Sequence, residues 1–194
     1  MLLFFSTMPD SIPLPRTARL QLRPFQTADI AAFGAYRAEP EVARFQSWEP
    51  YTAAQAAEFV AGQTGVAIPG APGTWVQIGI ALAGTDELIG DCALCLAADE
   101  PRNAEIGITL APQHQGRGYA TEALRALLTY CFAELKLHRV MAVTDCLNQG
   151  SVKLLARVGM RQEAHFRQNI WFKGAWGDEY VYAMLREDWA LNRG

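Results

Sequence analysis

The chain has 194 residues, 51% hydrophobic and 19% charged, with a formal net charge of −3, which suits one domain with a full core and excludes general disorder and a global pull towards nucleic acid or anionic membrane. The apolar start Met1 to Phe5 breaks at Ser6, too short for a signal-peptide core or a membrane span. The expectation is a cytoplasmic protein without nucleic-acid or membrane partners: residues 1–15 a flexible tail, with Met8 competing with Met1 as the start, and residues 16–190 one domain.

Ala18 to Phe25 alternates apolar and polar residues around Pro24, as an edge strand does. Thr27 reads as the cap of a helix from Ala28 towards Arg37, and Thr52 as the cap of a second over residues 53–64. Gly70, Pro72 and Gly73 mark a loop, and residues 74–82 and 87–97 read as a hairpin turning at "AGTDE". A strand over 104–110 runs into a glycine loop and then a helix from about Tyr119 to Leu135, whose Ala120, Leu124, Leu127, Leu128 and Cys131 share one face. Residues 138–144 form a buried strand. "NQGSVKLLARVGM" is a short helix capped at Asn148 and stopped by Gly159. Strands around 161–167 and 179–185 then flank an aromatic loop, "NIWFKGAWGD". The order β-α-α-β-β-β-α-β-α-β-β implies a mixed sheet with helices on both faces, an α/β (α+β) fold.

Of four cysteines, Cys92 and Cys95 form a lone CxxC within a strand, where side chains three apart point to opposite faces. With no second CxxC and with His114, His138 and His165 in separate segments, no metal is expected, and the cysteines read as small apolar residues.

The glycine loop carries the chemistry. A helix N-terminus offers unpaired N–H groups, and Gly116 and Gly118 let the backbone approach an anion, so Gln115 to Ala120 reads as a phosphate cradle. A tight turn needing two glycines is the plainer alternative. A P-loop is excluded, and a dinucleotide fingerprint fails at Thr121 and at Asp145, which comes too late for the ribose-binding acid.

Gln113-x-x-Gly116-x-Gly118, after a strand and opening a helix, resembles motif A of the GNAT superfamily of acyl-CoA-dependent N-acyltransferases. "ARLQLRPF", "ELIGDCAL", "AEIGITL", "GRGYATEAL", "NQGSVKLLARVGM" and "DEYVYAML" extend the likeness over nearly the whole chain, towards the Rim-type ribosomal-protein N-terminal acetyltransferases and their small-molecule relatives. The resemblance implies a mostly antiparallel sheet of about seven strands with a splay between the fourth and fifth. It implies acetyl-CoA as donor, with the pyrophosphate on backbone N–H groups of Gln115, Gly116, Arg117, Gly118, Tyr119 and Ala120, Gln113 and Thr121 also at the cofactor, and the pantetheine beside Ile106, Ile108 and Leu110. Arg117 is either a supplementary charge for a phosphate or a solvated loop residue.

The implied reaction is attack of an amine on the thioester, the amine being a small molecule or a peptide N-terminus. An alkyl amine is protonated at neutral pH and needs a base. Glu105, at the start of the central strand, is the first candidate, with a plain strand-end carboxylate as the alternative; Asp91 and Asp178 are weaker. The tyrosine acid of many relatives is replaced by Leu155. Ser151, three residues after Asn148, stands where Rim-type relatives offer a serine, and it is either the acid at the CoA sulfur or part of a helix cap. Asn148 is also expected near the pantetheine. Ile170 replaces an acidic residue of some ribosomal-protein enzymes and sets that substrate in question. Trp48, Glu49, Trp171, Trp176, Tyr180 and Tyr182 are candidates for the acceptor wall, for core or for a homodimer contact. A non-catalytic acyl-CoA sensor is the competing function.

Overall fold

A computed structural model describes residues 12–191. Its frame is one seven-stranded sheet in the order β1-β2-β3-β4-β5-β7-β6. The strands are β1 (Leu20–Arg23), β2 (Trp75–Leu82), β3 (Leu88–Leu96), β4 (Asn103–Leu110), β5 (Arg139–Asp145), β6 (Arg161–Phe172) and β7 (Ala175–Leu185). Every neighbouring pair is antiparallel except β4 with β5. That parallel pairing covers only Asn103↔Arg139, Ala104↔Val140 and Glu105↔Met141, after which the strands separate, as the resemblance implies.

The helices are α1 (Ile30–Arg37), α2 (Pro40–Ala43), α3 (Ala53–Gln63), α4 (Tyr119–Thr129), α5 (Gln149–Arg157) and α6 (Arg186–Leu191). The main core lies between the sheet and α4 and α5, where Leu124, Leu127 and Leu128 of α4 are at most 2% exposed; each such leucine contributes about 1.5–3 kcal/mol of burial. Phe33, Tyr36, Ala56 and Val60 of α1 and α3 build a second cluster with Phe25 and Leu88. No helix among the described residues is long and apolar enough to cross a membrane.

Of the expected tail, residues 1–11 lie outside the described residues. Ile12 and Leu14 pack against the main core, and Pro15 O accepts the Leu22 N–H at 3.0 Å.

Several boundaries differ from the sequence reading. Gln26 rather than Thr27 stands at the start of the first helical segment, because the Asp29 carboxylate accepts the Gln26 N–H (2.8 Å) while gripped by Arg23, and Thr27–Asp29 forms a 3-10 turn ahead of α1. Thr52 does cap α3, accepting the Gln55 N–H. The long helix reaches Glu134, but Tyr130–Glu134 is a π-turn closed by Leu135 N–H to Tyr130 O.

The largest correction concerns residues 169–178, expected as a loop and found as a hairpin. Lys173 (φ 48°) and Gly174 (φ 86°) are both left-handed, which is what a two-residue hairpin turn of the primed kind demands. Ile170 and Phe172 are half-buried while Trp171 is exposed, a strand alternation masked by the polar and glycine residues around it. Lys173 Nζ donates to Ala43 O and Trp48 O, each at 2.8 Å, pinning the hairpin tip to the segment after α2.

Candidate functional site

Where β4 leaves β5, a cavity of about 1130 Å³ opens between the edge of β4, the first turns of α4 and α5, and a wall from the segment after α2 and the β6–β7 tip. Beyond Glu105 the β5-facing edge of β4 carries no ladder partner, although its other edge stays paired to β3 from Gly90 to Leu96. Ile106, Ile108 and Leu110 all line the cavity. Open strand N–H and C=O groups seek partners, so an amide-bearing arm can lie there as an added strand.

The floor narrows to the glycine loop. Gly116 (φ 73°) and Gly118 (φ 82°) are left-handed, Gly118 stands at the N-cap of α4 without a side-chain cap, and the N–H groups of Gly116 to Ala120 have no acceptor among the described residues. Gln115 differs from expectation: its N–H is bonded to Pro112 O (3.1 Å) and its side chain donates to Leu110 O (3.0 Å), so it shapes the loop and the free run begins one residue later. A Cβ on Gly116 would meet nothing within 4 Å, leaving the cradle open to a ligand.

Gln115, Tyr119, Ala120 and Thr121 line the cavity; Gln113 and Arg117 do not. Gln113 is exposed on a 3-10 turn; the Arg117 side chain is exposed, its carbonyl accepts from Arg19, and its N–H belongs to the free run. Two residues outside the sequence-read cofactor set border the same space. Arg157, at the end of α5, borders both this cavity and a neighbouring depression flanked by Arg16, Arg19 and Arg125. His114 lines the cavity with a buried, unpartnered Nδ1. Neither had a local signal, since both are brought in by the packing of α5 and the turn after β4.

An unpaired N–H run, an open strand edge and an arginine-rich rim fit a diphosphate joined to an amide-bearing thioester arm. The described residues therefore suit acetyl-CoA.

Glu105 sits on the cavity wall at the point of the splay. It has no hydrogen-bond or ion-pair partner among the described residues, and burial, followed by the Glu179 charge, raises its pKa above the ordinary carboxylate value. The weaker base candidates are committed elsewhere: Asp91 is held by Arg37 (2.8 Å) and the Tyr36 hydroxyl, and Asp178 by His165 and the Gln168 N–H.

Asn148 and Ser151 both line the cavity, as does Leu155 at the position of the missing tyrosine. Asn148 is the cap, its Oδ1 accepting the Ser151 N–H (3.1 Å). The Ser151 hydroxyl takes no part in that cap.

The acceptor end is walled by Phe45, Trp48, Tyr51, Phe59, Trp75 and Phe172, with Ile170 beside them. Of the expected wall residues only Trp48 is found there; Trp171 and Trp176 are exposed and stack edge to face on the outer hairpin, and Tyr182 is buried. The Arg37 guanidinium lies 3.6 Å from the Trp48 ring centroid, stiffening this wall. Its charge is matched by Asp91, whereas Glu41, Glu105, Asp145 and Glu179 also line the space.

Residues 19–161 match the family described as the acetyltransferase (GNAT) domain. The N-acetyltransferase YnaD of Bacillus subtilis, itself uncharacterized, is 33% identical over 173 residues, 89% of this chain and 97% of that protein. The ribosomal protein uS5-alanine N-acetyltransferase of Escherichia coli is 32% identical over 88 residues, 45% of each chain. Among solved structures, a GNAT-family acetyltransferase from Bacillus anthracis superposes with a TM-score of 0.80 at 30% identity, covering 89% of this chain and 98% of that one.

Proposed function

The chain belongs to the GNAT acetyltransferase family and uses acetyl-CoA to acetylate an amine; from that premise we propose that its acceptor is a cationic primary amine, with Glu105 as base and Ser151 as the group beside the leaving sulfur. The observation that carries the reading is the join at Glu105: a free carboxylate at the point where the donor groove along β4 meets the carboxylate-bearing aromatic wall.

Acetyl-CoA supplies an activated acyl group on a thiol that departs readily. The glycine loop anchors its phosphates, and the open edge of β4 aligns its arm and offers N–H donors towards developing negative charge on oxygen. Glu105, directly or through one water, takes the proton lost by the attacking ammonium. Its raised pKa makes it a better proton acceptor than an exposed carboxylate once ionised. As the new C–N bond forms and the C–S bond breaks, the Ser151 hydroxyl donates to the sulfur.

Glu41, Asp145 and Glu179 attract a positively charged acceptor, and the aromatic wall covers its carbon chain. The name of the E. coli relative puts an alanine of a ribosomal protein among the acceptors met in this family; the preference for a cation here rests on the three carboxylates, not on Ile170, which adds apolar surface to the wall. A cytoplasmic location fits a chain with four unpaired thiols. The test compares a diamine with an alkyl monoamine of equal length, which carries one positive charge fewer: the diamine is expected to have the lower KM, and Glu179→Gln to remove that advantage. Equal KM values for both amines in the unmodified enzyme would overturn the choice of acceptor.

A further inference from the structure

The sequence scatters Cys146, His165 and Asp178 over three segments, and the fold gathers them. One ligand-capable atom of each lies within 4.8 Å of the other two. We propose that these three side chains form a binding site for a divalent transition metal of the zinc type, outside the acetyl-transfer cavity.

The site is assembled by strand register. Thr144 of β5 pairs with Tyr180 of β7, and Tyr180 pairs with His165 of β6, so the three strands bring the residue after β5 to the same end of the sheet as His165. Cys146 N–H then donates to Asp178 O at 3.1 Å, tying the exit of β5 to β7. None of the three side chains lines the cavity.

Their orientation is supported. Asp178 Oδ2 lies 3.2 Å from His165 Nε2, and Oδ1 accepts the Gln168 N–H at 2.9 Å. That second bond depends on an irregularity of β6: the register shifts between Phe166 and Ile170, and Gln168 takes a left-handed φ of 48°. A non-glycine residue there carries roughly 1–3 kcal/mol of strain, which the bond to Asp178 offsets. His165 packs edge to face on Tyr180 with ring centroids 4.9 Å apart.

The donor chemistry selects the ion. One sulfur, one imidazole nitrogen and one carboxylate oxygen are a poor set for magnesium or calcium, which want oxygen ligands, and a good one for zinc. Tetrahedral zinc places its sulfur and nitrogen ligands about 3.5 Å apart, so atoms already within 4.8 Å of one another have little distance left to close. His165 is exposed and Cys146 and Asp178 half-buried, leaving room for a water as fourth ligand. The Asp145 charge acts on Cys146, and that of Arg167 on Asp178. On binding, the Cys146 thiol releases its proton to solvent and a metal–sulfur bond forms. Because Cys146 is two residues before Asn148, the bound ion clamps the start of α5, which carries Ser151, to the β6–β7 hairpin.

Co²⁺ is the probe, titrated into the full chain and followed by its thiolate-to-metal absorption in the near ultraviolet. The expected result is saturation at one ion per chain and displacement by Zn²⁺. Cys146→Ser should abolish the band, and His165→Ala should weaken binding at least about tenfold, the scale set by loss of even an outer partner of a ligand. Cys95→Ser, at the other half-buried thiol, should leave the band intact, with circular dichroism verifying the fold of each variant. The proposal is overturned by the absence of a saturable band, by a band that survives Cys146→Ser or is lost in Cys95→Ser, or by unchanged affinity in His165→Ala.

Discussion

Asn148 Oδ1 accepts the backbone N–H of Ser151 at 3.1 Å, so the helix cap and the hydroxyl at the cavity wall belong to different residues. The two roles are separable by mutation. Asn148→Ala removes the cap and is expected to cost about 1 kcal/mol of stability. Ser151→Ala should leave stability nearly unchanged and lower kcat with KM for acetyl-CoA unaltered. A thiolate is a far better leaving group than an alkoxide and departs without full protonation, so the loss is put at about tenfold, below the usual range for acid catalysis. Urea unfolding and steady-state kinetics measure the two effects, and an unchanged kcat in Ser151→Ala removes it from the mechanism.

Glu105 and Glu179 make a pH prediction. Glu105 acts as a base only when ionised, and burial together with the Glu179 charge raises its pKa. The rate should therefore rise with pH through a value above the ordinary carboxylate range. Glu179→Gln removes the like charge, lowers the Glu105 pKa and shifts that limb of the kcat profile to lower pH. Glu105→Gln should lower kcat/KM by roughly 10²–10⁴ and abolish the limb. A profile that is the same in all three proteins assigns the proton transfer to another group.

The glycine loop is tested by side-chain volume. Gly118 is left-handed at φ 82°, where a β-branched residue is strained, and an added Cβ would come within 3.4 Å of Arg19 Nη2. Gly118→Val should weaken CoA binding at least about tenfold, consistent with roughly 1–3 kcal/mol of strain at such a position. Gly116→Ala, whose Cβ points into open space, should produce a smaller loss. Calorimetric titration with CoA decides it; wild-type affinity in both variants would contradict the cradle.

Under the acceptor wall, Arg37 and Asp91 are 2% and 1% exposed and joined at 2.8 Å. Asp91→Asn leaves a buried guanidinium without its counter-charge, which should cost about 3–5 kcal/mol. A loss under about 1 kcal/mol in urea unfolding would fit a solvated surface pair instead.

The parts legible in the sequence are those whose physics is local. Two glycines between an alternating strand and an amphipathic helix already imply left-handed turns and unpaired N–H groups, and the structure has both. Thr52 and Asn148 were readable as caps because a cap acts within three residues. Sequence distance hid the rest: Arg37 meets Asp91 54 positions away, and His114 and Arg157 reach the cavity through packing. Lys173 and Gly174 sat inside a stretch whose composition suggested a loop, and their turn is apparent only once both flanking runs are paired. Gln113 and Arg117 show the opposite limit: a motif marks their positions, while in the structure both are exposed and neither lines the cavity.

The most direct test of the whole account is release of free thiol from acetyl-CoA by the purified protein over a panel of primary amines. Amine-dependent thiol release in equal amount to N-acetylated product is expected, fastest with amines that carry a second positive charge and lost in Glu105→Gln. CoA binding with no turnover on any amine, or no CoA binding at all, would contradict it.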